Sequence, residues 1–238
     1  MSDRPTLMLL PGLLCDASVF TQQIAGLGDL CDVVVPDFRG LASIQDMAAH
    51  ALEIAPQRFA LAGFSMGGRV ALQIMRTAPE RVERLCLFDT SPGPEPEGGA
   101  AARQPLVDLA YSKGMEALAN AWLPGMLGKA RREDADFKKP LVEMICRATP
   151  DQHAAQIKAL VNRPDARPVL PGIACPTLVI CGEEDALTTP SMHADMAAAI
   201  PGARLVIVAG SGHFLPVEQA EHFTLALRNW MTHPARAG

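Results

Sequence analysis

Three side chains far apart in the chain have the types needed to attack a carbonyl carbon: Ser65, Asp185 and His213. Ser65 lies in Gly63-Phe64-Ser65-Met66-Gly67, a Gly-x-Ser-x-Gly pattern with apolar residues on both sides. A serine hydroxyl is a weak nucleophile and needs an adjacent base. The base in turn needs an acid that fixes its tautomer and stabilises its cationic form. His213 follows Gly210-Ser211-Gly212, whose small residues leave room for a base. Asp185 follows Gly182-Glu183-Glu184 and is the favoured acid, with Glu184 as its neighbouring alternative. Asp89 also ends an apolar run and is a further alternative, whereas Asp37 reads as a brace within a loop.

The serine pattern calls for a strand, an abrupt turn and a helix. Such a turn strains the serine backbone and lifts its Oγ clear of the sheet, and a Cβ at Gly63 or Gly67 would crowd the crossing. The helix that follows directs its N-terminal dipole and free N–H groups at the place where negative charge would develop. Two other glycine-rich readings fail. A dinucleotide fingerprint needs glycine where Ser65 stands, and a phosphate loop needs Gly-Lys-Ser/Thr where the chain has Gly67-Gly68-Arg69.

The remaining elements must bring these loops to one edge. Short, continuously apolar runs suit strands covered on both faces. They occur at Leu7–Leu10, Val33–Val35, Phe59–Ala62, Leu85–Phe88, Thr177–Cys181 and Leu205–Val208. Helical patterns separate them: one from Asp16 or Ser18, one from about Ser43, the elbow helix to about Thr77, one over Ser191–Ile200 and one over Val217–Met231. This alternation predicts an α/β fold with a mostly parallel sheet of about six strands and helices on both faces. It is interrupted. Between the Pro/Gly-rich stretches that begin at Pro92 and end at Gly172, the periodicity is helical and no strand is evident. Residues 93–168 are therefore expected to form a helical lid inserted into a core made of residues 1–92 and 169–238, over the edge where open α/β sheets bind ligands.

Composition narrows the partners. The 238 residues carry a net charge of −5, few aromatics and no basic block, which argues against nucleic acid. Apolar runs are too short for a membrane span, and Leu7–Leu10 is too short for a secretion signal. The six cysteines are scattered, without metal-ligand spacing, so free thiols in a reducing cytoplasm and no metal site are expected. Cys15 reads as a small apolar filler. His50, His153, His193, His222 and His233 fall on helical or tail segments and are expected at the surface.

With these residues in view, the chain resembles the α/β-hydrolase family, in particular small lid-bearing esterases and pimeloyl-carrier-protein methyl ester esterases. Gly63 to Gly68 matches the elbow, Gly182 to Asp185 with Pro190 the acid loop, Gly210 to His213 with Pro216 and Glu218 the histidine loop, and Asp37 to Gly40 a further turn. The order Ser65, Asp185, His213 is the family's order. Two departures stand out: the usual first strand pair is missing, implying a shortened N-terminal part of the sheet, and the oxyanion loop reads Pro11-Gly12 where His-Gly is usual. The resemblance implies a cofactor-free carboxylic ester or thioester hydrolase with Ser65 as nucleophile, His213 as base and Asp185 as acid. By position in the loops, the oxyanion donors would be the Leu13 and Met66 N–H groups. The implied partner is a small-molecule ester. Arg131, Arg132, Lys138 and Lys139 could meet an acidic acyl-carrier protein, although Glu133, Asp134 and Asp136 interleave with them. Trp122, Leu123, Met115, Met126 and Met144 could line an acyl pocket or merely pack the lid. The same residues would also serve a carbon–carbon bond hydrolase, a cofactor-free peroxidase, a lyase or a slow-turnover ligand receptor.

Overall fold

A computed structural model describes residues 4–232. The first half alternates strand and helix as the apolar runs predict. Strand β1 (Thr6–Leu10) leads through a 3-10 turn at Ala17–Phe20 into α1 (Thr21–Leu27). The Asp16 carboxylate starts that turn by accepting the Ser18 N–H. Strand β2 (Asp32–Val34) is followed by α2 (Ile44–Ile54), which Ser43 caps by accepting the Asp46 N–H. Strand β3 (Phe59–Phe64) runs directly into Ser65 and α3 (Met66–Thr77), and β4 (Val82–Phe88) follows. β3 is two residues longer than its apolar run suggests, because the strand continues through Gly63 and Phe64 to the turn itself.

The helical excursion comes next, with α4 (Gly99–Met126), α5 (Ala135–Ile145) and α6 (Pro150–Val161). Gly114, at φ 84°, breaks α4 into two pieces. Asp134 caps α5, and Thr149 with Gln152 forms a capping box on α6. The alternation resumes with β5 (Thr177–Gly182), α7 (Pro190–Ala199) and β6 (Arg204–Val208), then α8 (Leu215–Glu218) and α9 (Ala220–Thr232). The last helix, expected as one piece from Val217, is thus two. The chain leaves helical geometry at Gln219 (φ −131°, ψ 49°), next to Glu218, whose side chain turns inward to backbone N–H groups. His233 and the tail expected to fray beyond Thr232 lie outside the described residues.

Among the described residues the six strands form one parallel sheet in the order β2-β1-β3-β4-β5-β6. Right-handed crossovers with this order put α1 and α9, which pack together, on one face, and α2 and α3 on the other. The connection reverses direction between β1 and β3. At that switch point the carboxyl ends of two neighbouring strands diverge and leave a crevice. Leu10 is in register with Gly63, so the loop after β1 lies beside the serine turn after β3. Below the crevice, Phe64 stacks on Phe88 at 5.5 Å and meets Phe214 edge-on at 5.5 Å. The aromatic side chains fill the sheet's upper layer and fix the height of the turn above it.

Candidate active site

Ser65 stands at the entry of α3 with φ 52° and ψ −111°. A non-glycine residue in this region costs on the order of 1–3 kcal/mol and persists only where its surroundings hold it. Those surroundings are specific. The Ser65 N–H donates to the Phe88 carbonyl, and its own carbonyl accepts from the Gly68 N–H and the Thr90 hydroxyl (2.7 Å). A Cβ on Gly63 would meet the Gly67 carbonyl oxygen at 2.5 Å, and one on Gly67 would strike the Leu10 carbonyl, so only glycine fits at either side of the turn.

The loops after β5 and β6 complete a chain of hydrogen bonds. His213 Nε2 lies 2.8 Å from Ser65 Oγ, and His213 Nδ1 lies 2.8 Å from Asp185 Oδ2. All three side chains are buried. Burial by itself would raise the Asp185 pKa, but the facing His213 and the Thr188 donors outweigh it and hold the carboxyl below its usual value. The Leu187 and Thr188 N–H groups and the Thr188 hydroxyl all donate to Asp185, which fixes its orientation.

The alternative acids are engaged elsewhere. Glu184 accepts the Lys129 N–H. Asp37 pairs with Arg39 within its own turn. Asp89 is fully buried and accepts the Gly182 and Leu215 N–H groups, so it ties three loops together. Burial, with the Asp185 charge adding to it, pushes the Asp89 carboxyl well above the usual range. Asp89, Cys181 and Asp185 are close enough to suggest a metal cluster. Their carboxylates are already committed to N–H donors and His213, and burial drives the Cys181 thiol upward, away from the thiolate a metal needs. The Cys15 thiol is raised in the same way, as expected of a filler.

The loop after β1 faces the serine. A Cβ on Gly12 would lie 3.4 Å from Ser65 Cβ, and Leu13 lines the same cavity as Ser65 and His213. Among the described residues neither the Leu13 nor the Met66 N–H donates to another protein group. The anchor of this loop comes from the helical insertion. The α6 residue Gln156, 1% exposed, accepts the Leu14 N–H through Oε1 (2.9 Å) and donates through Nε2 to the Phe38 carbonyl (3.4 Å). A second grip follows α4. The His213 N–H donates to the Met126 carbonyl (2.7 Å), the Gly128 N–H to Glu218 (2.6 Å) and the Lys129 N–H to Glu184. Glu218 also accepts the Gly212 and Phe214 N–H groups, clasping the histidine loop.

Two histidines expected at the surface are buried. His193 is 0% exposed; its Nε2 accepts the Thr90 N–H (3.0 Å) while Nδ1 donates to the Thr189 carbonyl. It therefore braces the threonine that holds the Ser65 carbonyl. His153 is 2% exposed within α6. Both lie on helices whose apolar periodicity gives no sign that a histidine occupies an inward position. His222 is exposed and His50 partly so. A cavity of about 410 Å³ opens over Ser65 and His213, and among its lining are Trp122, Met126, Leu160 and Phe214. Of the other residues considered for an acyl pocket, Leu123, Met115 and Met144 pack in the core instead. Three of the four cations considered for a carrier protein are held locally: Arg131 by Asp134, Arg132 by the Leu127 carbonyl and Lys138 by the Arg132 carbonyl.

A serine raised at a strand-to-helix elbow on the carboxyl edge of a parallel sheet marks the hydrolases of open α/β architecture. Comparison with known proteins gives the same class. A family model described as the alpha/beta hydrolase family matches residues 7–227, and the chain belongs to that family. A protein of Serratia proteamaculans, provisionally assigned as the carbamate hydrolase RutD, is 30% identical over 255 residues, covering 95% of this chain and 91% of that one. A pimeloyl-[acyl-carrier protein] methyl ester esterase of Neisseria meningitidis is 29% identical, over 78% of this chain and 75% of its own. Among solved structures, a thermophilic esterase from Thermogutta terrifontis with malate bound superposes with a TM-score of 0.87 at 29% identity, covering 97% of this chain and 90% of that one. Among the described residues no helix is long and apolar enough to cross a membrane.

Proposed function

We propose that this protein is a serine hydrolase that cleaves a small carboxylic ester through an acyl-enzyme. The observation that carries the reading is the unbroken chain from Ser65 Oγ through the His213 ring to Asp185, with both links at 2.8 Å. Ser65 attacks the ester carbonyl while His213 Nε2 takes its proton. Asp185 holds the Nδ1–H tautomer and stabilises the imidazolium. The oxyanion is received by the Leu13 and Met66 N–H groups, with the α3 dipole behind Met66. His213 returns the proton to the departing alcohol, then activates the water that releases the acid. The helical insertion acts as a lid: Trp122 and Met126 form part of the cavity wall and keep bulk water from the acyl group. The esterase relatives support ester hydrolysis as the general chemistry.

The test is hydrolysis of p-nitrophenyl acetate and butyrate by wild type and Ser65→Ala, together with labelling by a fluorophosphonate. Saturable turnover that Ser65→Ala lowers by at least about a thousandfold, with label confined to Ser65, is the expected result. Unchanged turnover in Ser65→Ala would overturn the assignment.

A further inference from the structure

Arg69 follows Ser65 by four residues, so its side chain rises from α3 on the serine's side of the helix, about one turn away. It lines the same cavity as Ser65 and His213. Its hydrogen bonding is incomplete. Nη2 donates to Ser91 Oγ at 2.9 Å, but Nε is buried and has no hydrogen-bond partner. A guanidinium stays charged in proteins and carries five donors in a planar fork, so Nη hydrogens that Ser91 does not use are left for a group in the cavity.

The neighbouring charges do not fill it. Arg103 and Arg163 line the same cavity, and both are paired with Glu95. Arg163 is further held by the Gly93, Pro94 and Leu160 carbonyls. Glu95 is thus shared between two guanidinia and has no hydrogen bond to Arg69. One carboxylate among three guanidinia leaves this end of the cavity with an excess of positive charge. Burial, reinforced by Arg163 and Arg103 and only partly offset by Glu95, pulls the Arg69 pKa down to about 9. The rest of the wall is largely apolar, with Leu13, Phe64, Leu106, Trp122 and Phe214. A guanidinium with free donors, about one helical turn from the serine in a largely apolar chamber, is the arrangement expected where an anion is to be seated.

We propose that the substrates are esters carrying a second, ionised carboxylate a few carbons from the scissile carbonyl, and that Arg69 seats this carboxylate through its free Nη hydrogens. The proposal rests on the ester-hydrolase reading and adds the substrate class to it. The carboxylate accepts from the Nη hydrogens that Ser91 leaves free and neutralises part of the excess charge. Fixing it orients the ester carbonyl toward Ser65, while the methylenes between the two groups lie on the apolar wall. A neutral diester of the same length keeps the apolar contact but brings no charge to the guanidinium.

The experiment compares monoethyl glutarate with diethyl glutarate, and succinate and adipate homologues, on wild type, Arg69→Leu and Arg69→Lys. The readout is the ratio of kcat/KM for monoester over diester, which cancels any general loss of active protein. Wild type is expected to favour the monoester by at least about tenfold. Arg69→Leu should lower the ratio ten- to a hundredfold, the usual range for a hydrogen-bonded charge contact, with Arg69→Lys in between. A wild-type ratio of one or less, or a ratio unmoved by Arg69→Leu, would overturn the proposal while leaving the ester reading intact if Ser65 still turns over nitrophenyl esters. If no ester is turned over, that reading fails on its own. Calorimetric titration with glutarate then decides the anion site: binding to wild type that Arg69→Leu abolishes supports it, and no binding to wild type overturns it.

Discussion

The sheet core and the helical insertion contribute to the same cavity by different physical means. The core places Ser65, Asp185 and His213 by strand register: each follows the carboxyl end of a parallel strand, so pairing sets position and height. The insertion has no register with the sheet. It reaches the site by a few long-range hydrogen bonds, with Gln156 on the loop after β1 and residues 126–129 on the acid and histidine loops. Losing one core residue removes a chemical role, whereas losing one insertion contact displaces a loop that remains present. The first should therefore cost orders of magnitude more than the second.

The largest contrast lies within the core, between its two buried aspartates. Asp185→Asn is expected to lower kcat by up to about ten-thousandfold, because an amide can present the wrong hydrogen-bonding group to His213 Nδ1. Asp89→Asn should act on stability instead. Among the described residues the Asp89 carboxylate accepts the backbone N–H groups of Gly182 and Leu215, one at each oxygen, and an amide can accept only one of them. Its melting temperature should fall by a few degrees, with kcat changed less than about tenfold. Steady-state kinetics and thermal melts on both variants check this; a larger kcat loss in Asp89→Asn would exchange their roles.

That the two aspartates differ was partly visible in the chain itself. Asp185 belongs to a Gly-Glu-Glu-Asp loop after an apolar run, and the alternation of runs and helical patterns marks six strands and the insertion between them. Periodicity is local, and the elements it reveals are those whose burial repeats every two or about 3.6 residues. Gln156 is different. It is a polar residue on an amphipathic helix, and its partner is Leu14, 142 positions away. No local pattern distinguishes it from Gln152, which serves the capping box. His193, expected at the surface, is buried for a reason equally invisible in local pattern. Helix α7 is short, and nothing in Pro190–Ala199 signals that its histidine turns toward Thr90.

Gln156→Leu gives the middle-sized effect and tests the insertion's side of the comparison. Leucine fills the space but leaves the buried Leu14 N–H without its partner, at about 1–3 kcal/mol, while the Phe38 carbonyl keeps the Leu41 N–H. If the insertion positions the loop, part of this cost appears as a misdirected Leu13 N–H. Full loss of an oxyanion donor costs about a hundred- to a thousandfold in kcat, so partial misalignment should cost about tenfold, with little change in KM. Gln156→Glu can still accept the Leu14 N–H and should recover part of the loss. A fall in melting temperature without any loss of kcat would reduce Gln156 to a packing role.

The smallest effect sets one buried histidine of each region against the other. His153, in the insertion, is pulled down to about 4 by burial, with the Arg103 charge adding to it, and its Nδ1 has no hydrogen-bond partner. His193, in the core, is lowered by burial, while its contact with the Thr189 carbonyl opposes the shift. A histidine whose folded pKa lies below its unfolded value near 6.5 binds fewer protons when folded, so stability is complete above about pH 6.5 and declines as the pH falls. For His153 the decline extends to about pH 4. His153→Leu removes that titration and needs no partner for Nδ1, so its melting temperature should drop less than that of wild type between pH 6.5 and 4.5. His193→Leu also removes a titrating group but breaks the bond to Thr90, so it should melt lower at every pH in the series. Parallel pH–melting curves for His153→Leu and wild type would mean that the insertion's histidine is solvated enough to protonate freely. The acid sensitivity would then belong to the core alone.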